Sequence, residues 1–195
     1  MSKKNIPNTK YQILNTNSGF TLLEVIISLF IITILISLFL ANYRSGSRSN
    51  DVNLAAQKLS SDLRLAQNNA LGLVPYNGSL PAGGWGAHFD KINLPNQYII
   101  YADVNADHQY AGGAESAFAG GRTITLPSGV VISDLKSGGV SRNVLDITFI
   151  PPDPATKIYY SPSSSSTDAS IILKQSVTGN TKNINVNVLG LIETQ

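Results

Sequence analysis

The 195-residue chain has room for one domain of ordinary size with an added element. Charged residues are 13% of it, sparse for a soluble cytosolic enzyme, and the absence of cysteine excludes a disulfide, a thiolate nucleophile and a Cys-ligated metal. The formal net charge of +2 is unevenly placed: residues 1–19 carry Lys3, Lys4 and Lys10 with no acid, and the remainder holds 11 basic and 12 acidic side chains. That near-neutral balance gives no electrostatic case for direct nucleic-acid binding.

The first predicted element is an apolar helix over residues 20–41, FTLLEVIISLFIITILISLFLA, 22 residues with one charge. At roughly 1.5 Å per residue it spans about 33 Å, enough for a bilayer core of about 30 Å. The lysines before it, set against Arg44 and Arg48 after it, place the N-terminus in the cytoplasm and the rest outside, as a single-pass protein of the inner membrane. A secretory signal peptide fits poorly, because the apolar run is long and cleavage after Ala41 would put Phe39 three residues back from the cut. Hydropathy alone does not exclude a plain single-span anchor.

Glu24 bears on that choice. A carboxylate in an apolar run is costly in lipid, about 2.5–3.5 kcal/mol at a helix centre and less near the headgroups. It either sits near the headgroups or awaits a cationic partner when helices pack together. The segment Gly19-Phe20-Thr21-Leu22-Leu23-Glu24, behind a basic leader and ahead of an apolar run, resembles the cleavage and methylation motif of type IV pilins and type II secretion pseudopilins. The resemblance implies cleavage between Gly19 and Phe20 by a prepilin peptidase, methylation of the new Phe20 amine, and pairing of Glu24 with the N-terminal amine of an adjacent subunit. The partners it implies are other pilin or pseudopilin subunits, the peptidase/methyltransferase, and membrane lipid before assembly.

Beyond the apolar run, Val52, Ala56, Leu59, Leu63, Ala66, Ala70 and Leu73 recur at alternating spacings of four and three, one stripe of an amphipathic helix. Asp51, Asn53, Lys58, Asp62, Arg64 and Asn68 fall off it. Gly72 and Pro75 mark the end, and Gly46 among serines is placed to bend the junction at 44–50. Short alternating runs follow, predicting strands over 85–90, 97–102, 122–126, 130–134, 144–149, 157–160, 170–175 and 182–188. Pro127-Ser128-Gly129 reads as a turn, and the proline cluster at 151–154 and the serine run at 161–166 as exposed loops. The expected fold is α+β: a long N-terminal helix packed on an antiparallel sheet or β-sandwich-like domain. Its segments are a leader over 1–19, a transmembrane and assembly helix over 20–41, an amphipathic continuation over 42–74 and an extracytoplasmic β-domain over 75–195.

A second resemblance covers the later part. Leu59, Leu63, Arg64, Ala66, Asn69 and Ala70, then Trp85-Gly86-Ala87-His88-Phe89-Asp90, Ile147-Thr148-Phe149-Ile150-Pro151-Pro152 and Val188-Leu189-Gly190-Leu191-Ile192, are similar to the H-type pseudopilin and minor-pilin branch. This implies a minor component, at or near a filament tip. Pili for adhesion or motility, competence pili and secretion pseudopili are not separated by these residues.

Asp103-Val104-Asn105-Ala106-Asp107 places oxygen ligands at alternate positions, as a calcium loop requires. The sixth position is His108 where an EF-hand has Gly, and the twelfth is Ala114, with Glu115 one place late. The pattern is therefore not an EF-hand. An irregular Ca2+ cage of Asp103, Asn105, Asp107 and Glu115 is one reading; a polar loop with Gly112-Gly113 is the other. No other cofactor is required. His88 and His108 lack metal-ligand spacing, one expected to be structural and the other solvated, and no nucleophile elbow or phosphate loop is present. Asp90, Asp146 and Asp168 show no pairing by spacing, and Trp85 with Tyr76, Tyr98, Tyr101 and Tyr110 reads as core or core edge. No constellation supports an enzyme. The sequence reads as a structural subunit of a pilus or pseudopilus, against the alternative of a membrane-tethered adhesin or ligand-binding β-domain on a pilin-like anchor.

Overall fold

A computed structural model describes residues 19–115, 122–151, 155–161 and 164–195. Most of the expected leader, the prolines within 152–154 and residues 162–163 of the serine run lie outside the described residues. The chain divides into two compact units, residues 1–42 and 43–195. One helix, α1 (Leu22–Leu71), contributes to both, and its assignment is unbroken through Gly46. In the first unit the large apolar side chains from Phe20 to Leu40 are all exposed.

In the second unit the helical stripe is the buried face. Val52, Ala56, Leu59, Leu63, Ala66 and Ala70 are at most 2% exposed and belong to the hydrophobic core. Leu73, expected on that stripe, is instead 47% exposed. The helix ends in a Schellman motif, in which Val74 N–H bonds Asn69 C=O at 2.9 Å and Leu73 N–H bonds Ala70 C=O at 3.1 Å. Leu73 takes the left-handed position, φ 51°, usually held by glycine, and the turn carries its side chain off the stripe.

The β-part holds two antiparallel sheets. β1 (Gly84–Asp90), β2 (Gln97–Asp103), β3 (Arg122–Thr125), β4 (Val130–Ser137), β5 (Val140–Arg142), β6 (Val144–Ile150), β7 (Ala155–Ser161), β8 (Ser164–Ser166), β9 (Asp168–Gln175), β10 (Thr181–Asn187) and β11 (Ile192–Thr194) follow in chain order. One sheet runs β3-β2-β1-β6-β7-β8 and the other β11-β10-β9-β4-β5, so each ends on strands of three or four residues. The architecture is α+β. All eight expected strands form, several longer by one to three residues. Ser164–Ser166, expected as loop, is instead a strand, paired to β7 across a register shift between Tyr159 and Ser161. The backbone of an edge strand pairs on one side only, so it forms without apolar alternation.

Period-two geometry divides each strand between two faces. Trp85, Ala87 and Phe89 of β1, Tyr98, Ile100 and Ala102 of β2, and Leu145, Ile147 and Phe149 of β6 enter the core beside the helical stripe, with Leu135, Ile171, Leu173, Ile184 and Val186 of the second sheet. Helix polar groups also bond to the β11 end of the second sheet: Arg64 donates to Ile192 C=O at 3.1 Å, Gln67 to Gly190 C=O at 3.0 Å, and the Ser60 and Thr194 hydroxyls lie 2.7 Å apart.

Asp62, which falls off the helical stripe, is nonetheless only 4% exposed. It accepts the buried Tyr98 hydroxyl at 2.6 Å and pairs with Lys58 at 3.0 Å. Burial, then the bond to Asp62 and its charge, pushes the Tyr98 phenol far above its ordinary range. Asp62→Ala strands that hydroxyl and is expected to destabilise the domain by about 1–3 kcal/mol. Thermal unfolding of the full chain in detergent checks this, and Asp62→Ala combined with Tyr98→Phe should recover part of the loss, because both partners are then gone.

Candidate functional site

The residues expected to carry processing and assembly, Gly19, Phe20 and Glu24, lie at the start of α1. Gly19 and Phe20 are exposed and outside regular structure, and a Cβ built on Gly19 would meet no atom within 4 Å. Thr21 caps the helix: its Oγ1 accepts from Glu24 N–H at 3.2 Å, and its carbonyl accepts from Val25 N–H at 3.2 Å. Thr21-Leu22-Leu23-Glu24 is thus a capping-box spacing, with a carboxylate suited to the positive end of the helix dipole. That local role of Glu24 was legible as T-x-x-E and is missed when Glu24 is weighed only as a membrane charge. Among the described residues no hydrogen bond or ion pair engages the Glu24 carboxylate. The helix it heads, Leu22–Leu40, is long and apolar enough to cross a membrane.

A second constellation sits on the face of the β3-β2-β1-β6-β7-β8 sheet turned away from the helix. Register brings Gly86 opposite Tyr101 and Thr148, and His88 opposite Ile99 and Asp146. Gly86 is required there, because a Cβ would approach the Tyr101 ring to 2.9 Å and the Ile147 carbonyl to 2.7 Å. Tyr101 thereby lies across the strand, its hydroxyl 2.9 Å from Thr148 Oγ1. The segment after β2 borders the same polar groups: Thr148 Oγ1 donates to His108 C=O at 3.2 Å, Tyr110 N–H donates to Asp146 at 3.3 Å, and the Tyr110 ring lies 4.9 Å from His88 and 5.5 Å from Tyr101.

Within this segment the expected calcium-loop residues are drawn together. Asp103, fully buried at the end of β2, accepts Ala106 N–H at 2.7 Å, His108 N–H at 2.9 Å and His108 Nδ1 at 3.1 Å. A Cβ on Gly83 would collide with its carboxylate. Asn105 donates from Nδ2 to Asp107 Oδ2 at 2.9 Å and accepts Asp107 N–H at 3.0 Å. A 3-10 turn, Gly113–Glu115, brings in Glu115, 2% exposed, whose Oε2 accepts Ala111 N–H at 2.7 Å while Oε1 is buried with no partner. One carboxylate oxygen each from Asp103, Asp107 and Glu115 lies within 4.8 Å of the others. Burial raises the Glu115 carboxyl above its ordinary value; the Ala111 bond opposes this, and the charges of Asp107, Asp103 and Asp146 add to it.

The glycine missing at the sixth position is replaced in conformation rather than in kind: His108 has φ 63°, in the left-handed region. His108 is half-buried and bonded to Asp103, where a solvated histidine was one expectation. His88 is structural, its Nδ1 2.7 Å from Asp146 Oδ1. Burial raises the Asp146 carboxyl, against the lowering effect of His88 and of the Tyr110 N–H. The His88–Asp146 pair joins residues 58 apart, so only strand register reveals it. Asp90 instead binds Asn93 and the Ile92 and Asn93 amides, and Asp168 is exposed, so the three aspartates do not converge.

Residues 14–40 match the family model described as the prokaryotic N-terminal methylation motif. Comparison with curated proteins and comparison with solved structures each give no match.

Proposed function

We propose, from the premise that the chain is type IV pilin-like at its N-terminus, that it is a structural subunit, of the minor class, of a type IV pilus or type II secretion pseudopilus. The observation that carries this reading is the methylation-motif match over residues 14–40, which holds Gly19, Phe20 and Glu24 at the head of an exposed apolar helix. The minor assignment rests on the likeness of residues 59–70, 85–90, 147–152 and 188–192 to the H-type branch.

In this reading the precursor is held in the inner membrane by residues 20–41, with Lys3, Lys4 and Lys10 on the cytoplasmic side. Prepilin peptidase hydrolyses the Gly19–Phe20 bond, releasing the basic leader and leaving a free amine on Phe20. The methyltransferase then moves a methyl group from its own electrophilic methyl donor to that amine, breaking the donor–CH3 bond and releasing one proton, so that one N–H becomes N–CH3 and the group stays basic. The mature helix then carries a cation at its end and the Glu24 anion about one turn away, and both are unfavourable in lipid without partners. Packing beside another subunit lets Glu24 meet a neighbouring amine, so assembly removes the penalty that cleavage and burial created. The β-domain is carried outside the membrane on the amphipathic continuation at 42–74.

N-terminal sequencing with intact mass, on protein extracted from native membranes, tests the reading. The expected chain starts at N-methylated Phe20 and lacks residues 1–19. An uncut chain, or one cut beyond residue 41, overturns it and leaves the β-domain as a tethered or secreted binding module.

A further inference from the structure

We propose that the turn between β2 and the 3-10 turn Gly113–Glu115 is a calcium site, with Asp103, Asp107 and Glu115 as carboxylate ligands and Asn105 as a fourth oxygen donor. The inference is independent of the filament reading. It starts from an imbalance within the turn. Three carboxylates converge to within 4.8 Å, two of them buried, and among the described residues no lysine or arginine pairs with any of them. His108 is their one ion-pair partner among those residues, and it reaches Asp103 alone.

The independent sign of a missing ligand is Glu115. Its side chain is 98% removed from solvent, since 2% remains exposed, and Oε1 has no hydrogen-bond partner. Buried polar oxygens are nearly always partnered, and an unpartnered carboxylate oxygen is far more costly than a neutral one. A bound cation would be the partner that this oxygen, in a carboxylate grouped with two others, lacks.

The chemistry of the donors selects the ion. All are hard oxygens, which suit calcium or magnesium and not the thiolate- and imidazole-seeking metals. Calcium binds at about 2.3–2.6 Å in irregular cages, so oxygens on opposite sides of it lie about 4.6–5.2 Å apart. Magnesium, at about 2.0–2.1 Å with strict octahedral geometry, would need the group drawn closer. The three oxygens, each within 4.8 Å of the others, are close enough to share one calcium ion after small adjustment. Asn105 fixes the exposed Asp107 through two hydrogen bonds, and the left-handed φ values of Ala106 and His108, 61° and 63°, fold the chain back around Asp103. A bound ion would tie the end of β2 to the segment bordering the polar face at His88, Tyr101 and Thr148.

The test uses the full chain in detergent, with calcium chloride, magnesium chloride and EGTA as the probes. Thermal unfolding followed by far-UV circular dichroism should shift upward by roughly 3–6 °C at about ten times the dissociation constant of calcium. Calorimetric titration should give one site, with an affinity in the range of about 0.1–1 mM found for extracellular calcium modules. Asp107→Asn and Glu115→Gln should each abolish the shift while melting no lower than the parent in EGTA, since each removes like-charge repulsion. Because Asp107 is exposed, Asp107→Asn remains decisive even if Glu115→Gln folds poorly. No calcium shift in the parent, an equal shift with magnesium, or a shift retained in the variants would overturn the proposal.

Discussion

Replacing Glu24 with alanine is expected to abolish incorporation into filaments while leaving the chain anchored in the membrane. Alanine lengthens the apolar run, so anchoring by residues 20–41 is unimpaired. What disappears is the anion that the reading pairs with a neighbouring Phe20 amine. Removing one partner from a buried ion pair costs about 3–5 kcal/mol, because the other charge is left uncompensated. At 1.4 kcal/mol per tenfold, that weakens subunit association by about two to three and a half orders of magnitude. The readout is the division of the protein between sheared or pelleted filaments and the membrane fraction. Glu24 also stands third in the capping box of Thr21, a local role worth about 0.3–1 kcal/mol through the dipole. Glu24→Gln loses the charge with little change of volume, and the dipole share is too small to account for a loss of this size. Assembly surviving in the glutamine variant at the parent level would remove ion pairing from the mechanism.

The largest expected loss of stability follows Trp85→Ala. Trp85 is 1% exposed, packs edge-on against Tyr76 at 6.2 Å and donates its indole N–H to Val74 C=O at 3.1 Å. It thus binds the first full strand to the segment just after the helix C-cap. Truncation opens a cavity at that junction and leaves a carbonyl without its donor, with a cost of about 3–5 kcal/mol. Against a typical total of about 5–15 kcal/mol, much of the domain's margin is lost. For a unit of this size the melting point should fall by roughly 6–20 °C. Circular dichroism of the full chain in detergent measures it, since the variant has no tryptophan to report. Trp85→Phe keeps most of the volume and should lie well above the alanine variant.

The helix and the central strands were legible because burial imposes a period on them. The stripe from Val52 to Ala70 repeats as one helical face, and Ile184 and Val186 alternate with asparagines as a half-buried strand does. The short strands at 140–142, 164–166 and 192–194 were not, since three residues carry no period and their pairing comes from the backbone of a neighbour. Leu73 was misplaced because the pattern runs on through a cap that the chain does not follow. The burial of Asp62, which falls off the stripe, was not legible because its partner, Tyr98, is 36 residues away. The polar groups at His88, Tyr101, Asp146 and Thr148 belong to three strands whose register no single segment records. The acidic turn shows the boundary most sharply. Its D-x-N-x-D spacing was visible, whereas Glu115, one place late for an EF-hand, is brought in by a 3-10 turn.

The brevity of the outermost strands has a consequence for what the β-domain offers to other chains. β3, β5, β8 and β11 present only three or four residues each, and β8 meets its neighbour across a register shift. A sheet margin that short offers few free backbone donors and acceptors for another chain to zip onto, which is how β-proteins avoid growing into aggregates. In the proposed filament, neighbouring subunits can then stand side by side through the exposed apolar helix at 20–40 without their β-domains fusing into a common sheet.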